Sequence, residues 1–167
     1  YEIGSHTHTH QLIYEQGIKN FRKDLGLSVN ILENLTGKKI KMFRAPSFSI
    51  TRESLWAFDV LAENGIEIDC SIFPKNRTNG GLKVDISNRP FLVSYNGITL
   101  KEFPISYSDQ FYSNVVFSGG GYFRLFPNSL IKILLKKNKY NMTYFHPRDF
   151  DYLQPRLNNL SLFNYFK

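Results

Sequence analysis

Three of the four histidines in this chain lie within five residues of one another, close to its beginning. They are His6, His8 and His10, separated by Thr7 and Thr9. A neutral imidazole is a good ligand for zinc and neighbouring transition metals, and two or three imidazoles still need a carboxylate or a water to complete the shell. The cluster therefore predicts a divalent metal site, with zinc as the first expectation. A surface cluster or a remnant of a tag is the alternative, although a tag is usually a homogeneous run.

The backbone decides which of these histidines can act together. If the segment is extended, His6, His8 and His10 share one face, because side chains alternate with period two. If it curls into one turn, His6 and His10 converge at i, i+4. The sequence leaves both arrangements open.

Alternating strand and helix patterns surround this cluster. Strands are expected over residues 2–5, 40–44 and 66–69, and amphipathic helices over residues 18–35, ending at Gly37, and after Thr51, ending at Gly65. This alternation predicts an α/β fold, with a parallel sheet or barrel and helices outside. Arg44, Asp69 and His146 would then stand at the carboxyl ends of strands, where such folds place their sites.

The second half of the chain has weaker signals. Residues 71–90 are rich in Gly, Asn, Pro and Lys and predict a long surface loop. Asn96-Gly97 between two apolar runs predicts a hairpin over residues 91–101, with strand-like sequence continuing through residues 102–106. A helix is expected after Pro127 and a last strand over residues 141–145, whereas residues 148–167 predict a wrapping C-terminal segment. The glycine triplet 119–121 favours close backbone packing or room for a sugar.

Composition limits the possible functions. The chain has 167 residues, 42% hydrophobic content and a formal charge of +7, which fits one domain with a sizeable core. Only Lys132, Lys136, Lys137 and Lys139 cluster, as expected at the end of a helix, and no nucleic-acid motif accompanies them, so we expect no nucleic-acid partner. No apolar run is long enough to predict a membrane span. The lone Cys70 excludes an intrachain disulfide, and nothing indicates an oligomeric state.

Five segments, taken in order, closely resemble the motifs of the polysaccharide deacetylases of the NodB-homology type, carbohydrate esterase family 4. They are residues 4–10 (GSHTHTH), 43–49 (FRAPSFS), 69–74 (DCSIFP), 119–124 (GGGYFR) and 144–147 (YFHP). The resemblance extends to about residue 156 and is nearest to members associated with bacterial exopolysaccharide and O-antigen synthesis. It implies a distorted (β/α) barrel and a metal-dependent hydrolase that removes N-acetyl groups from a bacterial saccharide.

The resemblance also implies roles for individual residues. His6 and His10 correspond to the metal ligands, which leaves His8 at a variable position. His146 corresponds to the general acid that protonates the departing amine. Arg44 corresponds to the residue that orients the catalytic carboxylate, and Asp69 to an acidic residue that could pair with Arg44, in catalysis or as a structural ion pair.

Substrate and oxyanion contacts are implied for Pro46, Ser47, Phe48 and Tyr122, with the Ser47 amide as the oxyanion donor. The family's first motif, a strand that ends in two aspartates and supplies the base and a third metal ligand, has no counterpart in this sequence. The sequence therefore predicts a catalytic domain over residues 1–156 that lacks its N-terminal strands, followed by an extension over residues 157–167. Alone, it is expected to bind metal weakly and to catalyse poorly.

Two other classes of function fit parts of the sequence. A metallohydrolase of the amidohydrolase type would use His6 and His8 from one strand face, but it needs further histidines, and only His146 remains. A non-catalytic carbohydrate-binding relative would use the 15 Phe, 10 Tyr and 1 Trp to stack on sugars. Only the deacetylase needs His6, His10 and His146 together.

Overall fold

The computed structural model describes residues 1–73, 80–82, 89–108, 115–151 and 153. The chain divides into two compact units, Tyr1–Pro104 and Ile105–Lys167. Most of the predicted loop over residues 71–90 and the predicted extension over residues 157–167 lie outside the described residues. No helix in the described part of the chain is long and apolar enough to span a membrane.

The first unit is built on a four-stranded sheet. Its strands are β1 (Met42–Phe43), β2 (Ile68–Asp69), β3 (Phe91–Tyr95) and β4 (Ile98–Glu102), in the spatial order β1-β2-β4-β3. The β1–β2 and β2–β4 pairs are parallel, and β3 pairs antiparallel with β4. The predicted α/β class is therefore confirmed, with strands shorter than the sequence pattern indicates.

The first helix of this unit ends where the sequence predicts, whereas the predicted cap Thr51 belongs to a 3-10 turn that precedes the second helix. Helix α1 (Ile13–Thr36) is interrupted at Gly17, whose φ of 68° is not helical, and it ends at Gly37 with φ 66°. The Gly37 N–H donates to the Glu33 carbonyl, as a glycine C-cap does. Helix α2 (Ala57–Glu63) follows a 3-10 turn capped by Thr51, which exchanges hydrogen bonds with Ser54.

The core of the first unit lies between these helices and the sheet. Phe21 on α1 is fully buried, with its ring 5.8 Å from that of Phe43 and 6.0 Å from that of Trp56. The same buried face of α1 carries two polar residues, Asp24 and Ser28. A polar group on a buried face needs hydrogen-bond partners, and both of these are supplied by the segment that contains the histidines.

The expected buried strand over residues 2–5 is wrong. Residues 1–4 are exposed, including Ile3 at 48%. Only Ser5 joins the sheet, through its N–H to the Met42 carbonyl at 2.8 Å and its carbonyl to the Arg44 N–H at 3.1 Å. The apolar side chains of residues 1–4 therefore do not enter the core, although Ser5 still places the histidines beside the end of β1.

The hairpin is confirmed with its expected turn. Asn96 and Gly97 both have positive φ, 48° and 80°, and Tyr95 pairs with Ile98. This is the two-residue geometry that matches the twist of the flanking strands. The strand pattern expected to continue through residues 102–106 ends at Glu102.

The second unit contains a two-stranded sheet and two helices. Strand β5 (Tyr107–Ser108) pairs antiparallel with β6 (Val115–Val116), and α3 (Gly120–Leu125) and α4 (Asn128–Lys137) follow. Pro127 caps α4 instead of occupying its first helical position. The strand predicted over residues 141–145 is reduced to one bridge, between Gly119 and Tyr144.

Candidate active site

The histidine segment forms a turn, which decides between its two predicted arrangements. Thr7 and His10 have positive φ, 66° and 58°, and the His10 N–H donates to Thr7 Oγ1 at 3.0 Å. The rings of His6 and His10 meet edge to face with their centroids 5.0 Å apart. His6 and His10 therefore form the pair, and the extended arrangement with His8 on the same face is wrong.

The His6 ring is held in one tautomer by the backbone of β1's carboxyl end. His6 Nδ1 lies 2.6 Å from the carbonyl oxygen of Arg44. A carbonyl can only accept, so Nδ1 carries the proton and Nε2 carries the ring's lone pair. Histidines that ligate metals typically have their second nitrogen bonded in this way, which fixes both ring orientation and tautomer.

The backbone between the two histidines is anchored to helix α1. Asp24 accepts the His8 N–H at Oδ2 and the Thr9 N–H at Oδ1, both at 3.0 Å. Ser28, one helical turn further on, bonds to the Ser5 hydroxyl at 2.8 Å. The sequence analysis did not single out Asp24. Its spacing to Phe21 and Leu25, which places it on the buried face, was the available signal.

Two imidazoles are only part of a metal shell. Within residues 1–73, 80–82, 89–108, 115–151 and 153, no group of three or more His, Cys, Asp or Glu side chains is placed to hold a metal ion. The His6–His10 pair fits two positions of a zinc-type site, since both are imidazoles on an exposed turn and one has the required tautomer. The remaining ligands do not come from a further cluster in the described part of the chain.

The turn after Arg44 is strained and well supported. Ser47 and Phe48 have consecutive positive φ values, 53° and 56°, a conformation that costs non-glycine residues about 1–3 kcal/mol each. Gly81 donates its N–H to the Phe48 carbonyl at 2.9 Å. A Cβ on Gly80 would lie 2.5 Å from that same carbonyl oxygen, so only glycine fits there.

The predicted substrate residues of this turn differ in accessibility. Pro46 and Phe48 are buried, and the Phe48 ring packs on Phe73 at 5.3 Å. Ser47 is exposed, and the Phe48 N–H is already bonded to the Ala45 carbonyl at 3.0 Å. Of this turn, Ser47 is therefore the residue whose amide is suited to meet a substrate oxygen.

Asp69 does not make the ion pair with Arg44 that the resemblance suggested. Its carboxyl group is fully buried, accepts a hydrogen bond from the Ser71 hydroxyl at Oδ1, and belongs to the register partner of Glu102 on the neighbouring strand. The Arg44 guanidinium instead lies 5.8 Å from the Phe48 ring centroid and bonds to the Cys70 thiol. Burial removes the hydration of the Asp69 carboxylate and so favours its neutral form, and the buried carboxyl of Glu102 beside it can share the proton.

The Asp69–Glu102 pair is the polar centre of the first unit. Glu102 accepts the Ile72 N–H at 3.0 Å. Burial raises the pKa of Glu102 well above its usual range, and the nearby Asp69 charge raises it further. Burial also raises the pKa of Asp69, against the hydrogen bonds from Glu102 and Ser71. The sequence interpretation missed Glu102, because strand alternation alone does not reveal a carboxyl that faces a core.

Cys70, between Asp69 and Ser71, carries a protonated thiol, which is a poor nucleophile. Burial first, and then the Asp69 charge, raise the pKa of Cys70 to about 11. Its thiol therefore remains protonated at neutral pH. Cys70 is therefore suited to a structural role and not to nucleophilic catalysis.

His146 lies in the second unit, where Asp149 fixes its position. The His146 N–H donates to Asp149 Oδ2 at 2.9 Å, and the His146 carbonyl accepts the Asp149 N–H at 2.9 Å. His146 Nδ1 is 3.7 Å from that carboxylate, and Arg124 Nε is 3.5 Å from its other oxygen. The Asp149 side chain is only 1% exposed, whereas His146 is 53% exposed. Asp149 carries no motif resemblance, so the sequence interpretation missed it.

The glycine triplet packs against the chain that leads to His146. A Cβ on Gly119 would lie 2.0 Å from the Tyr144 carbonyl oxygen, and one on Gly120 would meet the Tyr144 ring at 2.8 Å. Close backbone packing is therefore the role of these glycines. Tyr122, predicted to contact substrate, is half-buried on α3 and stacks on Phe126 at 6.4 Å.

Comparisons with known proteins support the resemblance to polysaccharide deacetylases. Residues 1–67 match the family model described as Polysaccharide deacetylase, and residues 70–167 match the one described as Domain of unknown function (DUF3473). The first match shows that residues 1–67 are similar to polysaccharide deacetylases. The second match covers more than half of the chain, which therefore belongs to the DUF3473 family. No curated protein matches the chain.

One solved structure shares the fold. Its title is "Crystal structure of putative polysaccharide deacetylase from Mycobacterium smegmatis", with a TM-score of 0.51 and 20% sequence identity. The similarity covers 70% of this chain but 39% of that protein. At this identity the similarity shows the fold alone, and it fits the expected partial deacetylase-type fold.

Proposed function

We propose that this chain supplies the two histidine ligands of the metal in a metal-dependent deacetylase that hydrolyses N-acetyl groups on a bacterial saccharide. The observation that carries the proposal is the His6–His10 pair, whose rings meet at 5.0 Å while the His6 Nδ1–H is held by the Arg44 carbonyl. The similarity of residues 1–67 to polysaccharide deacetylases supports the substrate class, an N-acetylated poly- or oligosaccharide. Synthesis of exopolysaccharide is the pathway we propose for it.

His6 and His10 would hold a divalent cation, zinc in the first instance. When bound, such a cation supplies Lewis acidity toward the acetyl carbonyl and toward water. The chain's own contribution is a pair of imidazoles with one tautomer fixed before any ligand arrives. Ligands from outside the described residues would complete the shell.

Ser47 and His146 would contribute to the hydrolysis. The exposed Ser47 N–H, on its strained turn, is suited to donate to an oxygen that gains negative charge. His146, half exposed and positioned by Asp149, would give a proton to the departing amine. The role of His146 rests on the motif resemblance. Arg44 would hold the His6 ring through the Arg44 backbone carbonyl.

The test is acetate release from N-acetylated glucosamine oligomers in the presence of zinc. We expect His6→Ala and His10→Ala each to abolish release, because each removes one ligand. His8→Ala is the matched control, since His8 is exposed in the same turn and stands outside the ring pair; it should retain most of the activity. Equal loss in all three variants would argue against the pair, and release by none of the proteins, the unmodified chain included, would argue against the proposed function.

A further inference from the structure

Helix α1 contains a carboxylate that is aimed at the histidine turn instead of at a cation. Asp24 is buried, and each of its oxygens accepts one backbone N–H, from His8 and Thr9, at 3.0 Å. These two amides lie in the middle of the turn, between the paired imidazoles. The carboxylate therefore fixes the segment that connects His6 to His10.

The turn needs such an anchor because its backbone is unfavourable. Thr7 and His10 both have positive φ, which threonine in particular rarely adopts. Left to itself, the segment would relax toward an extended form in which His6 and His10 separate and His8 joins their face. Two charge-assisted hydrogen bonds from a buried carboxylate oppose that relaxation.

The surrounding contacts act on the same segment. The Ser5 hydroxyl bonds to Ser28 at 2.8 Å and accepts the Thr7 N–H at 3.3 Å, so the turn is attached to α1 at its start as well. The His10 N–H bonds to Thr7 within the turn. The hydrogen bonds from Asp24 and Ser28 on α1 therefore go to the backbone of the turn and to the Ser5 hydroxyl.

We infer that Asp24 is a positioning residue for the metal site: it holds the His6–His10 turn closed before the metal binds, and so determines metal affinity without touching the metal. This inference rests on the proposed function, since it assumes that His6 and His10 bind a cation. It also assigns a function to a buried carboxylate on the helix face that packs against the core.

The experiment is a zinc titration of the full chain, with Asp24→Asn compared with Glu33→Gln. The asparagine keeps the shape but can accept properly at only one of its two atoms, so one N–H is left facing an amide NH₂. Glu33 is the matched control, because it is on the same helix and also accepts a backbone N–H, from Ile40 at 3.1 Å, but at the opposite end. We expect zinc affinity to fall about tenfold or more in Asp24→Asn and to remain within about twofold in Glu33→Gln.

The possible outcomes test the inference about Asp24 separately from the proposed function. If the unmodified chain binds no zinc, the proposed function fails and the inference with it. If it binds zinc and Asp24→Asn binds equally well, only the inference is overturned.

A measurement on the unmodified chain does not depend on the folding of any variant. The His8 and Thr9 amide protons should exchange slowly with solvent before zinc is added, because they are bonded to Asp24. Exchange at unprotected rates would overturn the inference, even if Asp24→Asn fails to fold.

Discussion

Asp69 and Glu102 are register partners on neighbouring parallel strands, both are fully buried, and each carboxyl has one oxygen without a hydrogen-bond partner among the described residues. One proton between two buried carboxyls replaces the cation that a buried carboxylate otherwise needs. Ser71 links this pair to the turn that follows Arg44, because the Ser71 hydroxyl accepts the Ala45 N–H at 2.8 Å. The pair therefore supports the turn that carries Ser47.

The pair makes the first unit less stable as pH rises. Both folded-state pKa values are raised, so the folded protein binds more protons than the unfolded chain, and the stabilisation is complete below the unfolded pKa values and is lost on going up through the folded ones. Each unit of difference corresponds to about 1.4 kcal/mol. Glu102→Gln, whose amide can donate to Asp69 permanently, should flatten this decline above the unfolded carboxyl pKa values of about 4.

Urea unfolding at several pH values measures this effect. Glu67→Gln is the control, because Glu67 is exposed and its hydrogen bond and ion pair with Lys41 lower its pKa. That change should leave the decline intact. An unfolding free energy of Glu102→Gln with the same pH slope as that of the unmodified chain would contradict the shared proton.

Gly80 should tolerate no side chain. A methyl group there would lie 2.5 Å from the Phe48 carbonyl oxygen, so Gly80→Ala must displace the strained turn at Ser47. We expect the unfolding free energy to fall by about 1–3 kcal/mol. Gly26→Ala, in the middle of α1 with no contact closer than 3.4 Å, should instead stabilise by about 0.5–1 kcal/mol. Thermal unfolding of both variants checks the opposite signs, and equal shifts would rule out this role for Gly80.

Asp149 should matter more than its neighbour Asp151. Asp149→Asn removes a buried charge from beside Arg124 and should cost about 1–3 kcal/mol of stability. Asp151→Asn changes an exposed carboxylate that accepts the Leu153 N–H and should cost less than about 0.5 kcal/mol. Urea unfolding distinguishes the two, and similar losses would show that Asp149 has no special position.

Cys70 should react slowly with alkylating reagents. Because its pKa is about 11, little thiolate exists at neutral pH, and the thiolate is the reactive form. Alkylation by iodoacetamide should be at least tenfold slower in the folded chain than in urea, where the pKa returns to about 8.5, and it should accelerate steeply above about pH 9. A folded-state rate equal to the unfolded one would contradict a buried, protonated thiol.

The sequence predicted those parts of the fold that depend on local chemistry. Gly37 as a helix end, Thr51 as a cap and Asn96-Gly97 as a hairpin turn each follow from backbone conformations that few residues adopt. The extended form expected for residues 2–5 failed, because strand formation depends on what a neighbouring segment covers. Short strands at a sheet edge leave no clear pattern in a single sequence.

The candidate site was predictable only as far as its motifs. His6 and His10 were paired correctly by the motif spacing, whereas the choice between turn and extended segment needed Asp24, which lies one helix away. The predicted partner of Asp69 was wrong for a similar reason. The motif resemblance suggested Arg44, whereas two neighbouring strands bring Asp69 and Glu102 together in the core. Contacts between distant segments carry these roles, and residue type alone does not reveal them.

Zinc binding to single-histidine variants tests the central claim most directly. Stoichiometric zinc is measured by mass spectrometry after equilibration of the unmodified chain, His6→Ala, His10→Ala and His8→Ala at one free zinc concentration. The His6–His10 pair predicts about one zinc per chain in the unmodified protein and in His8→Ala, and loss in the other two. Zinc retained by His6→Ala or His10→Ala, or lost equally in His8→Ala, would contradict the pair as the metal site.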